Sequence, residues 1–271
     1  KLPYYLCSAI AGLMSITGAV LAQSWPVKPV RVIVGFPPGG PTDTVARAFN
    51  ARFTEAWVNL GWVALHRGNL VLAESHFERA RSLNENLPTP HHGLGVLCER
   101  KGKLEAAEGH YRDALAVSPD FKEARGNLGR LLFARGAFDD ARAQFLKLTD
   151  VAPNDASGFA FLAESLFKLG RAREAEDVIL LARTRFGDTP EMLLLLARIC
   201  LQRGDFAGAE EALAPVTQER DAGTAARAWA WTAVARFEAR NFEGARAAVK
   251  EALAFDPTDA VALDALRRVE H

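Results

Sequence analysis

Residues 88–155 read PTPHHGLGVLCERKGKLEAAEGHYRDALAVSPDFKEARGNLGRLLFARGAFDDARAQFLKLTDVAPND. Two copies of one pattern lie there in strict register. Leu94-Gly95 recurs as Leu128-Gly129, Gly102 as Gly136, Ala107 as Ala141, Tyr111 as Phe145 and Pro119 as Pro153, and each step is 34 residues. Small residues at fixed spacing let two helices approach closely, an aromatic fills the gap between them, and a proline stops the second helix. Such a period predicts a helix–turn–helix unit that stacks on its own copies into a solenoid.

The register extends in both directions. Upstream it takes in Trp57, Leu60-Gly61, Gly68, Ala73 and Phe77. Downstream it takes in Leu162-Ala163, Gly170 and Ala175, then Leu196-Ala197, Gly204 and Ala209. A two-residue slip near Ala222-Gly223 precedes a last copy with Trp229, Ala233, Ala245 and Pro257. Six repeats are expected, starting near Thr54, Pro88, Lys122, Ala156, Pro190 and Ala226. In the later copies Ile179 and Leu213 replace the aromatic, and Asp221 stands in place of the proline. Residues 260–271 predict a capping helix with Leu263 and Leu266 turned inward and Asp264, Arg267 and Arg268 turned to water.

These anchors together resemble the tetratricopeptide repeat family over residues 54–259. The resemblance implies an all-α superhelix of about six helix pairs whose first helices line a concave groove. It also implies that positions 2, 5, 9, 12 and 13 of each first helix point into that groove. Position 9 places Trp62, Arg130, Glu164 and Arg198 there, and position 12 places Phe133, Phe167 and Phe237. Arg130, Glu164 and Arg198 would form a ladder of alternating charge beside an aromatic stripe. A mixed apolar and charged groove suits a peptide or helix from a partner protein. The lysines with which chaperone-binding relatives clamp a carboxyl terminus have no counterpart in this chain.

The N-terminal region follows a different pattern. Residues 2–22 carry no charge and end in Val20-Leu21-Ala22, a small-residue cleavage site before Gln23, so residues 1–22 predict a secretory signal peptide. An uncleaved membrane anchor is the alternative, since about 20 apolar residues span a bilayer. Residues 30–34 (VRVIV) predict a strand, followed by the loop GFPPGGPTD and a helix starting at Pro41. Pro41 occupies the place a phosphate loop gives to lysine, which excludes nucleotide binding. Residues 23–50 resemble the start of the periplasmic substrate-binding proteins of tripartite tricarboxylate transporters, the Bug family. That resemblance implies a ligand-cleft wall at Phe36, Pro37, Gly39, Gly40, Thr42 and Asp43. The rest of both lobes gives way to repeats, leaving this segment as a strand–loop–helix remnant. Its helix is expected either to run into the first repeat or to break near Asn50 and Thr54.

Charge sets further bounds. Thirty-three basic residues balance 33 acidic ones, which gives no electrostatic case for nucleic acid or an anionic membrane. A membrane partner is expected only if the leader stays in place. Cys98 and Cys200 occupy the same repeat position three repeats apart, too distant for a disulfide. His91-His92 are helix neighbours that point in different directions, and His66, His76, His110 and His271 are scattered, so no metal site is expected. No catalytic constellation and no cofactor are expected. The function expected is non-enzymatic protein binding in the groove of an exported, periplasmic scaffold. The alternatives are carboxylate binding through the residue 36–43 loop, or service as an accessory domain to an enzyme encoded elsewhere. A cytoplasmic location follows if the remnant and the repeats belong to separate proteins.

Overall fold

Turns with a left-handed residue punctuate the chain at one register position, and they set its architecture. Gly68, Gly102, Gly136, Gly170 and Gly204 have φ between +71° and +79°. Each ends the first helix of a pair and reverses the chain into the second. The computed structural model of the protein describes residues 41–270, with side chains from residue 53 onward. The expected strand and most of its loop lie outside the described residues. The chain divides between Asn50 and Ala51 into two units, and the stacked repeats form the second.

Thirteen α-helices occur among the described residues. Six pairs follow in order. They are α1 (Pro41–His66) with α2 (Leu70–Leu83), α3 (Pro88–Arg100) with α4 (Leu104–Val117), and α5 (Lys122–Ala134) with α6 (Phe138–Val151). Then come α7 (Ala156–Lys168) with α8 (Ala172–Phe186), α9 (Pro190–Gln202) with α10 (Phe206–Leu213), and α11 (Ala222–Glu238) with α12 (Phe242–Phe255). Helix α13 (Ala260–Glu270) packs against α11 and α12. Successive pairs stack by contact between each second helix and the next first helix. The all-α solenoid of six helix pairs is therefore the fold. Helix α1 runs without a break from Pro41, the first of the two arrangements expected for it.

One column of side chains holds the helices of each pair together. Phe77, Tyr111, Phe145, Ile179, Leu213 and Val249 are all at most 2% exposed and occupy equivalent places on the second helices. At one register position on the first helices stand Gly61, Gly95 and Gly129, each against an aromatic ring, and the fully buried Ala163, Ala197 and Ala233. The two columns compensate in size. Glycine faces each aromatic ring, and alanine holds that position where the second helix carries an aliphatic side chain. A Cβ built on Gly95 would stand 2.5 Å from the Tyr111 ring, and one on Gly129 would stand 2.8 Å from Phe145. Phe77 also bridges repeats, because a Cβ on Gly93 of the next first helix would stand 2.4 Å from its ring. Ile179 and Leu213 thus belong to the same device as the rings, in a smaller size.

The sixth turn departs from the pattern. Arg240 takes the glycine's place with φ +63°, a conformation that costs an L-residue with a Cβ about 1–2 kcal/mol. Arg240→Gly is expected to raise stability by about 1 kcal/mol and the melting temperature by a few degrees, despite the greater freedom of glycine in the unfolded chain. Thermal melts of the two proteins measure this directly.

One repeat boundary and one helix face differ from expectation. Helix α11 begins at Ala222, one turn before Ala226, because the Asp221 carboxylate accepts from Thr224 N at 2.8 Å and caps an added turn. Pro215 follows the short α10 and leads into a 3-10 turn (Val216–Gln218) whose Val216 is buried. In α13 the fully buried stripe is Ala262, Ala265 and Val269; of the two leucines expected to turn inward, Leu266 packs against the core and Leu263 does not. Leu263 is exposed and Leu266 half-buried. Asp259 accepts from Ala262 N at 2.8 Å and fixes the start of the helix. The two small alanines then let α13 approach its neighbours closely.

Candidate groove of the repeat stack

Trp62, Arg130, Phe133, Glu164, Phe167, Arg198 and Phe237 all stand on first helices, in α1, α5, α7, α9 and α11. The structure gathers them into separate neighbourhoods rather than one stripe. In the C-terminal half, Arg198 Nη1 lies 3.5 Å from Glu164 Oε1. The same guanidinium stands over the Phe167 ring at 4.8 Å and over the Trp231 ring at 5.9 Å. Only about a quarter of the Arg198 side chain is exposed. Two aromatic faces and one carboxylate therefore hold this cation, a setting in which ring quadrupoles add to the ion pair. A cleft of about 600 Å³ opens beside it, lined by Phe167, Arg198, Leu201, Trp231, Val234 and Glu238 among others.

The N-terminal half of the groove holds a polar network. Arg130 does not join Glu164. Its guanidinium donates to Asn127 Oδ1 on the same helix. Asn127 Nδ2 lies 2.9 Å from His92 Nε2 and 3.4 Å from Tyr111 Oη. The Tyr111 hydroxyl in turn donates to Glu99 Oε2 at 2.7 Å. Burial, then the hydrogen bond to Glu99, push the Tyr111 hydroxyl far above its ordinary pKa. Trp62 packs against Phe77 edge-on at 5.3 Å and against His92 at 5.4 Å. Phe121 closes the other side of His92 at 5.5 Å.

Between the halves lie two smaller clefts. One of about 180 Å³ is lined by Glu123, Asn127, Arg130 and Phe161 among others. The other, of about 330 Å³, is lined by Ala160, Phe161, Glu164, Glu191 and Met192 among others. Phe133 and Phe237 pack within their own repeats, and Phe133 also meets Phe161 of the next repeat edge-on at 6.2 Å. Phe133 meets Phe138 edge-on at 5.2 Å, and Phe237 meets Phe242 at 5.5 Å, each ring closing the turn between paired helices. A larger cleft of about 640 Å³ sits at the turns around Arg171 and Arg203. Its Arg171 and Glu174 satisfy each other through two hydrogen bonds, and it shares Gln202 and Arg203 with the cleft beside Arg198.

Tetratricopeptide repeat profiles match residues 53–120, 99–163, 162–222 and 217–260 of the chain. The chain belongs to the tetratricopeptide repeat family. Its repeats resemble several solved structures at low identity. YrrB, described as a TPR protein with an unusual peptide-binding site, is 21% identical with a TM-score of 0.58 over 70% of this chain and 97% of its own. PilF of Pseudomonas aeruginosa is 16% identical with a TM-score of 0.67, covering 80% and 98%. PilW, described as a widely conserved type IV pilus biogenesis factor, is 16% identical with a TM-score of 0.65, covering 79% and 98%. Likeness at this identity shows the fold alone. A search of curated sequences finds no match.

The tetratricopeptide groove also contains residues that sequence reasoning did not select. Trp231 and Phe161 occupy position 6 of their repeats, beside the inward positions, as does Asn127. An aromatic recurring at that place was the available signal. Phe36, Pro37, Gly39 and Gly40 lie outside the described residues, while Thr42 and Asp43 stand in the first turn of α1. Cys98 and Cys200 are free thiols, and burial raises the pKa of both.

The network around His92 makes a pH-dependent contribution to stability. Burial first, opposed by Glu123 and assisted by Arg130, lowers its pKa to about 4. An unfolded histidine titrates near 6.5. The unfolded chain therefore takes up this proton first as pH falls, and stability drops between pH 6.5 and 4. At pH 5 the loss from this group is about 2 kcal/mol relative to pH 7. His76 and His110 are shifted in the same direction by burial. Comparing the melts of wild type and His92→Gln at pH 7 and 5 isolates the His92 share. The variant is expected to show a smaller drop.

Proposed function

We propose that the repeats act as a non-enzymatic scaffold that docks a segment of a partner protein in the concave groove. The observation that carries this reading is the Glu164–Arg198–Phe167–Trp231 cluster. It presents a partly exposed cation, two aromatic faces and an adjoining cleft of about 600 Å³ on the first-helix side of the stack. Aromatic side chains and arginine are the groups that dominate binding energy at protein interfaces. Protein interaction is the general role of tetratricopeptide repeats. The fitting ligand is a segment with an apolar side chain for the cleft and a carboxylate able to share Arg198. The charge-free residues 2–22 support placing this scaffold outside the cytoplasm.

Selection from a random peptide display library tests the reading. Peptides enriched on the wild-type protein are expected to bind at least tenfold more weakly to Phe167→Ala and to Trp231→Ala. Enriched peptides that bind both variants as well as wild type would contradict the groove assignment.

A further inference from the structure

We propose that His91, His110 and Asp113 form a zinc site that staples α3 to α4 at the junction with the first repeat. These side chains lie outside the groove, and the sequence separates them. His91 stands in α3, and His110 and Asp113 stand three residues apart on one face of α4. His91 Nδ1 lies 3.9 Å and His110 Nδ1 3.8 Å from Asp113 Oδ2, and all three atoms are within 4.8 Å of one another. Both Nδ1 atoms are buried and have no hydrogen-bond partner. Buried ring nitrogens are costly when unsatisfied, and a cation shared between them removes that cost.

The surroundings suit a metal ligand. His91 Nε2 lies 3.4 Å from the Glu85 carbonyl. A proton placed there leaves the lone pair on Nδ1, aimed at His110 and Asp113. A backbone carbonyl in this role is the usual outer partner of a metal-bound histidine. Two imidazoles and one carboxylate with an open fourth position match a tetrahedral zinc donor set. Metal–ligand bonds of about 2.0–2.1 Å set ligand atoms about 3.4 Å apart. The trio must therefore draw in by roughly 0.5–1.4 Å, within reach of imidazole rotation and of the exposed Asp113 carboxylate.

Cobalt serves as the probe, because its visible absorption reports tetrahedral binding. The full chain, stripped with chelator, is titrated with Co²⁺ and then with Zn²⁺ in competition. One equivalent is expected, with binding weakened at least tenfold in His91→Gln, His110→Gln and Asp113→Asn. His66→Gln, at an exposed histidine outside the trio, is expected to bind as wild type. Circular dichroism melts check that the variants fold. A second readout uses the wild type alone: one equivalent of Zn²⁺ is expected to block diethyl pyrocarbonate modification of both His91 and His110. Metal binding that survives His91→Gln and His110→Gln unchanged, no binding below millimolar metal, or undiminished modification of both histidines in the presence of zinc would each overturn the proposal.

Discussion

Gly129→Trp is expected to abolish the cooperative helical melt around the third repeat, at a cost of at least about 3 kcal/mol. The first added carbon already stands 2.8 Å from the Phe145 ring, and Phe145 is 1% exposed. The ring has nowhere to go, because Phe161 of the next repeat stacks on it at 5.1 Å with an interplanar angle of 12°. A milder variant tests the same physics with a sign. On a free helical surface, glycine to alanine stabilises by about 0.5–1 kcal/mol. Gly129→Ala is expected to destabilise instead, since overpacking a filled core costs about 1–3 kcal/mol. The later repeats show the remedy, with alanine at that position and isoleucine, leucine or valine in place of the ring. Phe145→Ile added to Gly129→Ala is expected to recover part of the loss, with a favourable coupling of about 1 kcal/mol in a double-mutant cycle. Additive effects would mean that the two columns do not fit by size. Denaturant melts of the four proteins decide it.

Arg198→Glu is expected to leave folding nearly intact and to weaken partner binding at least tenfold. The Arg198–Glu164 pair is partly solvated, and such pairs contribute about 0–1 kcal/mol to stability. For a ligand the same change is larger. It removes the cation from the faces of Phe167 and Trp231 and sets a second carboxylate beside Glu164. Losing the cation–π contacts and repelling the ligand carboxylate together exceed the roughly 1.4 kcal/mol that corresponds to a factor of ten. A helical melt within a few degrees of wild type, measured beside a titration of a display-selected peptide, separates the two effects. Unaltered affinity would remove Arg198 from the site.

The 34-residue period made the helix pairs and their turns legible from residues alone. Small, aromatic and left-handed positions recur, and each carries a steric demand that sequence displays directly. The starts of α3, α5, α7 and α9 follow from that register. The later breaks were less legible. The extra turn of α11 depends on Asp221 reaching Thr224 N, and the stripe of α13 depends on where Asp259 caps it. The placement of the expected groove side chains on first helices was legible from the sequence, but their rotamers and partners were not. The expected ladder closes between Glu164 and Arg198, while Arg130 bends back to Asn127. The His91–His110–Asp113 cluster was hidden because its partners come from different helices, whereas the pair visible in sequence, His91-His92, joins neighbours that face apart. Phe36 to Gly40 fall outside the described residues, so a ligand-cleft role for them remains an expectation from sequence.

Photo-crosslinking mapped residue by residue tests the groove assignment most directly. A photoreactive benzoylphenylalanine replaces Ala160 or Val234, which line the groove clefts, and in parallel Val71 or Leu181, exposed on second helices. Irradiation in the native cell, followed by mass spectrometry, is expected to give one discrete partner adduct from positions 160 and 234. Little or none is expected from 71 and 181. Adducts confined to 71 or 181, with the groove positions silent, would contradict the groove as the binding face.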